Sequence, residues 1–93
     1  MIIGHDGARI SIAALNMHGP LFERVTRYQY YQDQVGRCQL RIMVAPGFTE
    51  KNRLGIESAY HDKVGNQLDI LVTITDDIPL TLLGKLNLLD SKL

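Results

Sequence analysis

The chain has 93 residues, 45% hydrophobic and 22% charged, with ten basic residues balanced by ten acidic ones. Such a composition fits one ordinary globular domain and gives no net field to gather nucleic acid or anionic lipid. The single cysteine, Cys38, excludes an internal disulfide framework, and no apolar run approaches the ~20 residues that span a bilayer.

Ile2-Ile3 and Arg9-Ile10 flank Gly4-His5-Asp6-Gly7, and Asp-Gly between apolar residues predicts a short hairpin. Ser11 then stands before Ile12-Ala13-Ala14-Leu15 as the N-cap of a short helix. Pro20 ends or interrupts that helix near His18. Over 25–33 the residues alternate, with Thr26, Tyr28, Tyr30 and Gln32 on one strand face and Val25, Arg27, Gln29 and Tyr31 on the other. Over 38–45 the alternation is cleaner, with Cys38, Leu40, Ile42 and Val44 against Gln39, Arg41 and Met43. Gly36 can take the positive φ that a turn between them needs, so the two strands are expected to pair as an antiparallel hairpin with one buried face.

Pro46-Gly47 breaks the second strand and Thr49 can cap a second helix, in which Ile56, Ala59, Tyr60 and Val64 form an apolar stripe. Gly65 suits the left-handed stop of that helix. In the last clear strand Leu68, Ile70, Val72 and Ile74 oppose Asp69, Leu71, Thr73 and Thr75. The predicted order makes residues 1–93 a single α+β domain. It is a small sandwich of a mostly antiparallel sheet with two helices on one face, preceded by a short N-terminal hairpin. Asp76-Asp77-Ile78-Pro79 ends the strand, because proline cannot donate to a ladder. The apolar residues that follow, through Leu86, lack two-fold alternation; either they pack under the sheet or they meet a surface that this chain does not include.

Several residues have plain structural readings. His5, His18 and His61 show no metal-ligand spacing with carboxylates or cysteine, so no metal is expected in this chain. Asp76-Asp77 reads as a solvated strand end and Cys38 as a small buried hydrophobe. Tyr28 and Tyr30 share a face, which invites a base-stacking reading. The neutral charge and the absence of an aromatic over 38–45 argue against nucleic acid as a partner.

The segment Asp77-Ile78-Pro79-Leu80-Thr81-Leu82-Leu83-Gly84-Lys85 resembles the end of enzymes of the acyl-CoA synthetase superfamily, where an acidic-Ile-Pro-Arg-Thr-x-x-Gly-Lys stretch delivers a lysine to the adenylation site. Leu80 stands where arginine is usual, and Leu83 where a small residue is common. Three further segments agree in order and spacing. These are the 3–11 stretch, similar to the one after the family's interdomain hinge; the Gln29 to Arg41 strand pair with its Gly-Arg turn; and Gly47-Phe48-Thr49-Glu50 opening a helix. Together they resemble the C-terminal domain of the phenylacetate-CoA ligase and capsular-polysaccharide-type (CapK-like) branch over nearly the whole chain.

The resemblance implies a mobile C-terminal lid of an ATP-dependent acid–thiol ligase, a fragment whose large N-terminal domain is absent and which is inactive alone. Lys85 would be catalytic, stabilising charge on the phosphoryl oxygens as a carboxylate attacks ATP to give acyl-AMP. Gly84, Gly7, Ala8 and Arg9 would border ATP or CoA, the hairpin lining the pantetheine tunnel after the lid rotates. Mg is expected in the large domain. The partners would be that domain, a small carboxylic acid, ATP and CoA, with a homodimer possible and no membrane. The opening residues lack the basic region and long apolar stretch of a secretory signal, so a cytoplasmic location is expected. Without the resemblance, Lys85 reads as a solvated loop lysine and Gly7-Ala8-Arg9 as an ordinary turn. The chain would then be a stand-alone α+β binding or regulatory module with its 80–89 segment as a docking strip.

Overall fold

In the computed structural model the described residues are 1–15, 20–78 and 88–93. Strands β1 (Ile2–Ile3) and β2 (Arg9–Ile10) form the N-terminal hairpin, and α1 (Ile12–Leu15) follows. Ser11 caps α1 as expected, its Oγ accepting from Ala14 N–H at 3.1 Å. A short 3-10 turn, Pro20–Phe22, leads into β3 (Val25–Gln34) and β4 (Arg37–Val44). Helix α2 (Glu50–Val64), a second 3-10 turn (Gly65–Gln67), β5 (Asp69–Ile74) and β6 (Leu89–Ser91) complete the order.

The architecture is α+β with a short N-terminal hairpin, as the sequence predicts. The larger sheet is mixed, in the order β5-β4-β3-β6. Its centre is the expected antiparallel pair β3–β4, while β5 lies parallel to β4 and β6 parallel to β3. The parallel pairings follow from the connections. A strand followed by a helix long enough to cross the sheet returns the chain to its starting end, so β4–α2–β5 enters as a parallel crossover.

Local chemistry fixes α2. Thr49 is its N-cap and Asn52 its reciprocal partner, a capping box that satisfies two end donors at once. Gly65, at φ +57°, closes the C-terminal end, and its N–H donates to His61 C=O. The buried face of α2 presents Ile56 and Tyr60 to a core of Tyr30, Cys38, Leu40, Ile42 and Val72. Tyr30 and Tyr60 meet by their hydroxyls at 2.7 Å inside this core, with their rings edge to face. Leu15 of α1 and Phe22 join the same layer, so both helices cover one face of the sheet.

Two register shifts interrupt the β3–β4 pairing, between Val25 and Arg27 and between Tyr31 and Gln34. A bulge between Val25 and Arg27 turns Val25 opposite Val44 and onto the core side, although the two-fold pattern puts it on the other face.

Candidate functional site

The hairpin attaches at one end of the larger sheet, whereas the segment that carries Lys85 is anchored at the other end by Ile78 and again beside Tyr30 by Leu88. The hairpin is the first of these two candidate regions. Gly4 N–H donates to Ala8 C=O at 2.8 Å and Gly7 N–H to Gly4 C=O at 3.0 Å. Asp6 Oδ1 accepts from Ala8 N–H at 3.0 Å, a side-chain turn that shapes the tip. Gly7 sits at φ +81°, which glycine adopts without strain, and a Cβ there would meet nothing within 4 Å. The tip is therefore open to approach. Arg9 is exposed and makes no ion pair among the described residues.

The hairpin is held by Gln32, a fully buried amide on β3. Its Oε1 accepts from Ile3 N–H at 2.8 Å and its Nε2 donates to Ile3 C=O at 2.8 Å and to Gln34 C=O at 3.1 Å. The side chain thus stands in for a peptide group and continues the ladder of β1 sideways. Gly36 N–H adds a bond to Ile3 C=O at 2.9 Å, and His5 N–H one to Gln67 C=O at 2.8 Å. The His5 ring lies over Gly36, where a Cβ would come within 2.3 Å of Nδ1, and its Nε2 is 3.2 Å from Asp69 Oδ2. These partners belong to the β3–β4 turn and the start of β5, so Gly7, Ala8 and Arg9 stand at that end of the sheet.

The second region begins at the far end. After β5 the chain crosses to the face opposite the helices. There Ile78 is buried, with its N–H directed to Met43 Sδ at 3.2 Å and its C=O accepting from Arg27 Nη1 at 3.1 Å. The chain is described again at Leu88, whose C=O accepts from Tyr30 N–H at 2.8 Å and begins the parallel pairing of β6. Gly84 and Lys85 lie outside the described residues, as do Pro79, Leu80, Thr81 and Leu83 of the motif. From Gly36 to Met43 along β4 is seven residues, so Ile78 is anchored roughly 23 Å from the hairpin at ~3.3 Å per residue. Leu88 rejoins the sheet beside Tyr30, whose β4 partner Leu40 is four residues from Gly36.

The other candidates keep structural roles. Tyr30 is fully buried beneath α2, which leaves no ring face for a base to stack on, and burial pushes its phenol far above the ordinary range. Tyr31 points to the opposite face, where the Arg41 guanidinium lies 3.9 Å from its ring centre. Cys38 is buried in the core, and desolvation pushes its thiol up to about 12, so it stays protonated and unreactive. His5 and His61 join no cluster of three metal-ligating side chains among the described residues, and His18 lies outside them. No helix among the described residues is long and apolar enough to cross a membrane.

Sequence reasoning missed Gln32 as a holding residue and β6 as a strand. The signal for Gln32 was present: within 25–33 it is the one amide on a strand face that otherwise carries threonine and tyrosine.

No curated protein matches the chain. The family model described as CapK C-terminal domain matches residues 2–92, which takes in the hairpin, the whole larger sheet and both helices. The chain belongs to the CapK C-terminal domain family.

Proposed function

We propose that this domain is the mobile lid of an adenylate-forming acid–thiol ligase related to phenylacetate-CoA ligase. The observation that carries the reading is the match to the CapK C-terminal domain over residues 2–92, with an open glycine turn at the hairpin tip. The hairpin with Gly7, Ala8 and Arg9 stands at one end of the sheet, and Ile78, from which the segment bearing Lys85 departs, is fixed at the other. A domain that presents first one end and then the other can serve two successive steps, as lids joined by a small interface commonly do.

In the first step a carboxylate oxygen attacks the α-phosphorus of ATP and pyrophosphate leaves, giving an acyl-adenylate. The Lys85 ammonium stabilises the charge that grows on the phosphoryl oxygens. A compact cation on a flexible stem suits such a contact better than a planar guanidinium. In the second step the acceptor thiolate attacks the acyl carbon and AMP leaves. The open Gly7 turn lets backbone approach the acceptor arm, and Arg9 offers a cation at its border. The other half of this site, including Mg, the adenine pocket and the acyl pocket, belongs to a large domain outside this chain.

The test is Lys85→Ala in the complete enzyme, with pyrophosphate exchange reporting adenylation. Loss of exchange by two or more orders of magnitude is expected. Exchange at the wild-type rate would sink the role given to Lys85.

A further inference from the structure

Strand β5 is one edge of the larger sheet. Asp69 N–H donates to Gly36 C=O and Thr75 N–H to Ile42 C=O. Odd-numbered residues of β5 therefore turn their backbone groups toward β4, and Ile70, Val72 and Ile74 turn theirs outward. The middle one is closed by α2. Val72 N–H donates to Glu57 Oε2 at 3.0 Å, and Val72 C=O accepts from Arg53 Nη1 at 3.2 Å. The same Nη1 donates to Glu57 Oε2 at 3.0 Å, and Arg53 Nε donates to Glu50 at 2.9 Å. Two side chains one helical turn apart thus hold both edge groups of one residue, as a neighbouring strand would. The outward groups of Ile70 and Ile74 have no partner among the described residues.

The strand they guard is prone to pairing. Ile70-Leu71-Val72-Thr73-Ile74 carries no charge, glycine or proline and is mostly β-branched, the composition of a self-pairing segment. Leu71 and Ile74 are 51% and 46% exposed, one on each face of the strand. Charges stand only at the ends, Asp69 before it and Asp76-Asp77 after it.

We propose that Arg53 and Glu57 form a side-chain plug that keeps β5 from accepting another strand, and that the strand excluded is β5 of a second copy of this chain. Outward groups that recur every two residues are satisfied only by an extended segment. A second β5, antiparallel about Val72, sets Ile70 opposite Ile74 and uncharged side chains opposite uncharged ones. A charged strand would place its charges beside Leu71 and Ile74 instead.

The test measures self-association of the whole chain by sedimentation. The wild type fixes the baseline, Glu57→Ala opens the edge, and Glu57→Gln keeps an oxygen for Val72 N–H. Glu57→Ala is expected to self-associate at least tenfold more tightly than wild type, and Glu57→Gln to stay near the baseline. Adding Leu71→Lys to Glu57→Ala is expected to restore the baseline, because a lysine on an edge strand opposes strand addition. A folded Glu57→Ala chain at the wild-type baseline, or association that Leu71→Lys leaves unchanged, overturns the proposal. Should Glu57→Ala lose its circular dichroism signal, Arg53→Ala decides. Of the two edge groups it frees only the Val72 carbonyl, and it also releases Glu57 from its ion pair; a folded Arg53→Ala chain at the baseline overturns the proposal.

Discussion

Replacing Gln32 with leucine removes the amide that fixes the hairpin while keeping a side chain of similar volume. Ile3 N–H then loses its acceptor at a partly buried site, and Gln34 C=O loses one donor. Ile3 C=O keeps its bond from Gly36 N–H, so one donor and part of one acceptor are stranded. An unsatisfied buried group costs about 1–3 kcal/mol, and the leucine adds no cavity, so the expected loss is about 2–3 kcal/mol. For a domain of this size ~1 kcal/mol moves the melting temperature by about 4–8 °C, which gives a fall of roughly 8–24 °C. Urea denaturation measures the loss, and hydrogen exchange at the Ile3 amide shows whether it arises at the hairpin. Gln32→Glu adds a directional control. Its carboxylate would face the carbonyls of Ile3 and Gln34, so its folded pKa is raised. The sign follows from that: its stability is greatest below the unfolded carboxylate value of about 4.3 and is lost as pH rises through the raised folded value. A Gln32→Leu chain within about 0.5 kcal/mol of wild type, with Ile3 exchange unchanged, would refute the reasoning.

Three further outcomes are expected. Gly36→Ala should cost more than about 1 kcal/mol in denaturant titration, because φ is +83° and a Cβ would push the His5 ring off Asp69; retention of the His5–Asp69 contact by NMR would contradict this. Thr49→Ala should lose about 1 kcal/mol by breaking the capping box, read by thermal unfolding, with no effect on the hairpin. Burial raises Cys38 to about 12 and moves Tyr30 and Tyr60 upward as well, so folding favours their protonated forms. That stability is fully present below the unfolded thiol value of about 8.5 and fades as pH rises toward 12. Thiol labelling of Cys38 should therefore track unfolding, and rapid labelling of the folded chain would count against it.

The parts of the fold written locally were legible in the sequence. Thr49, the Ile56–Tyr60 spacing and Gly65 each mark α2 within a turn of where they act. The alternation over β4 and β5 reports a sheet with one buried face, and the structure places Leu40, Ile42 and Val72 there. What was not legible depends on pairing across the chain. The direction of β5 follows from the length of the α2 crossover rather than from its own residues. Strand β6 is three residues long, too short to show a period, and is specified by the partner Tyr30. The bulge at Val25 has no local mark, since it absorbs a mismatch between β3 and β4. The roles of Gly7 and Arg9 were open because a turn looks alike in sequence whether or not a ligand approaches it. Gln32 shows the reverse: a buried amide signals a partner, and only the fold says that the partner is Ile3.

The central claim is that Lys85 and the hairpin serve different half-reactions, and a crossed pair of variants in the complete enzyme tests it most directly. Acyl-adenylate formation and transfer from preformed acyl-adenylate to the thiol are measured separately for Lys85→Ala and Arg9→Glu. Lys85→Ala should lose adenylation by orders of magnitude and keep transfer, while Arg9→Glu should keep adenylation and lose transfer roughly tenfold or more, about 1.4 kcal/mol. Equal losses in both steps for either variant, or none in the step assigned to it, would contradict the account.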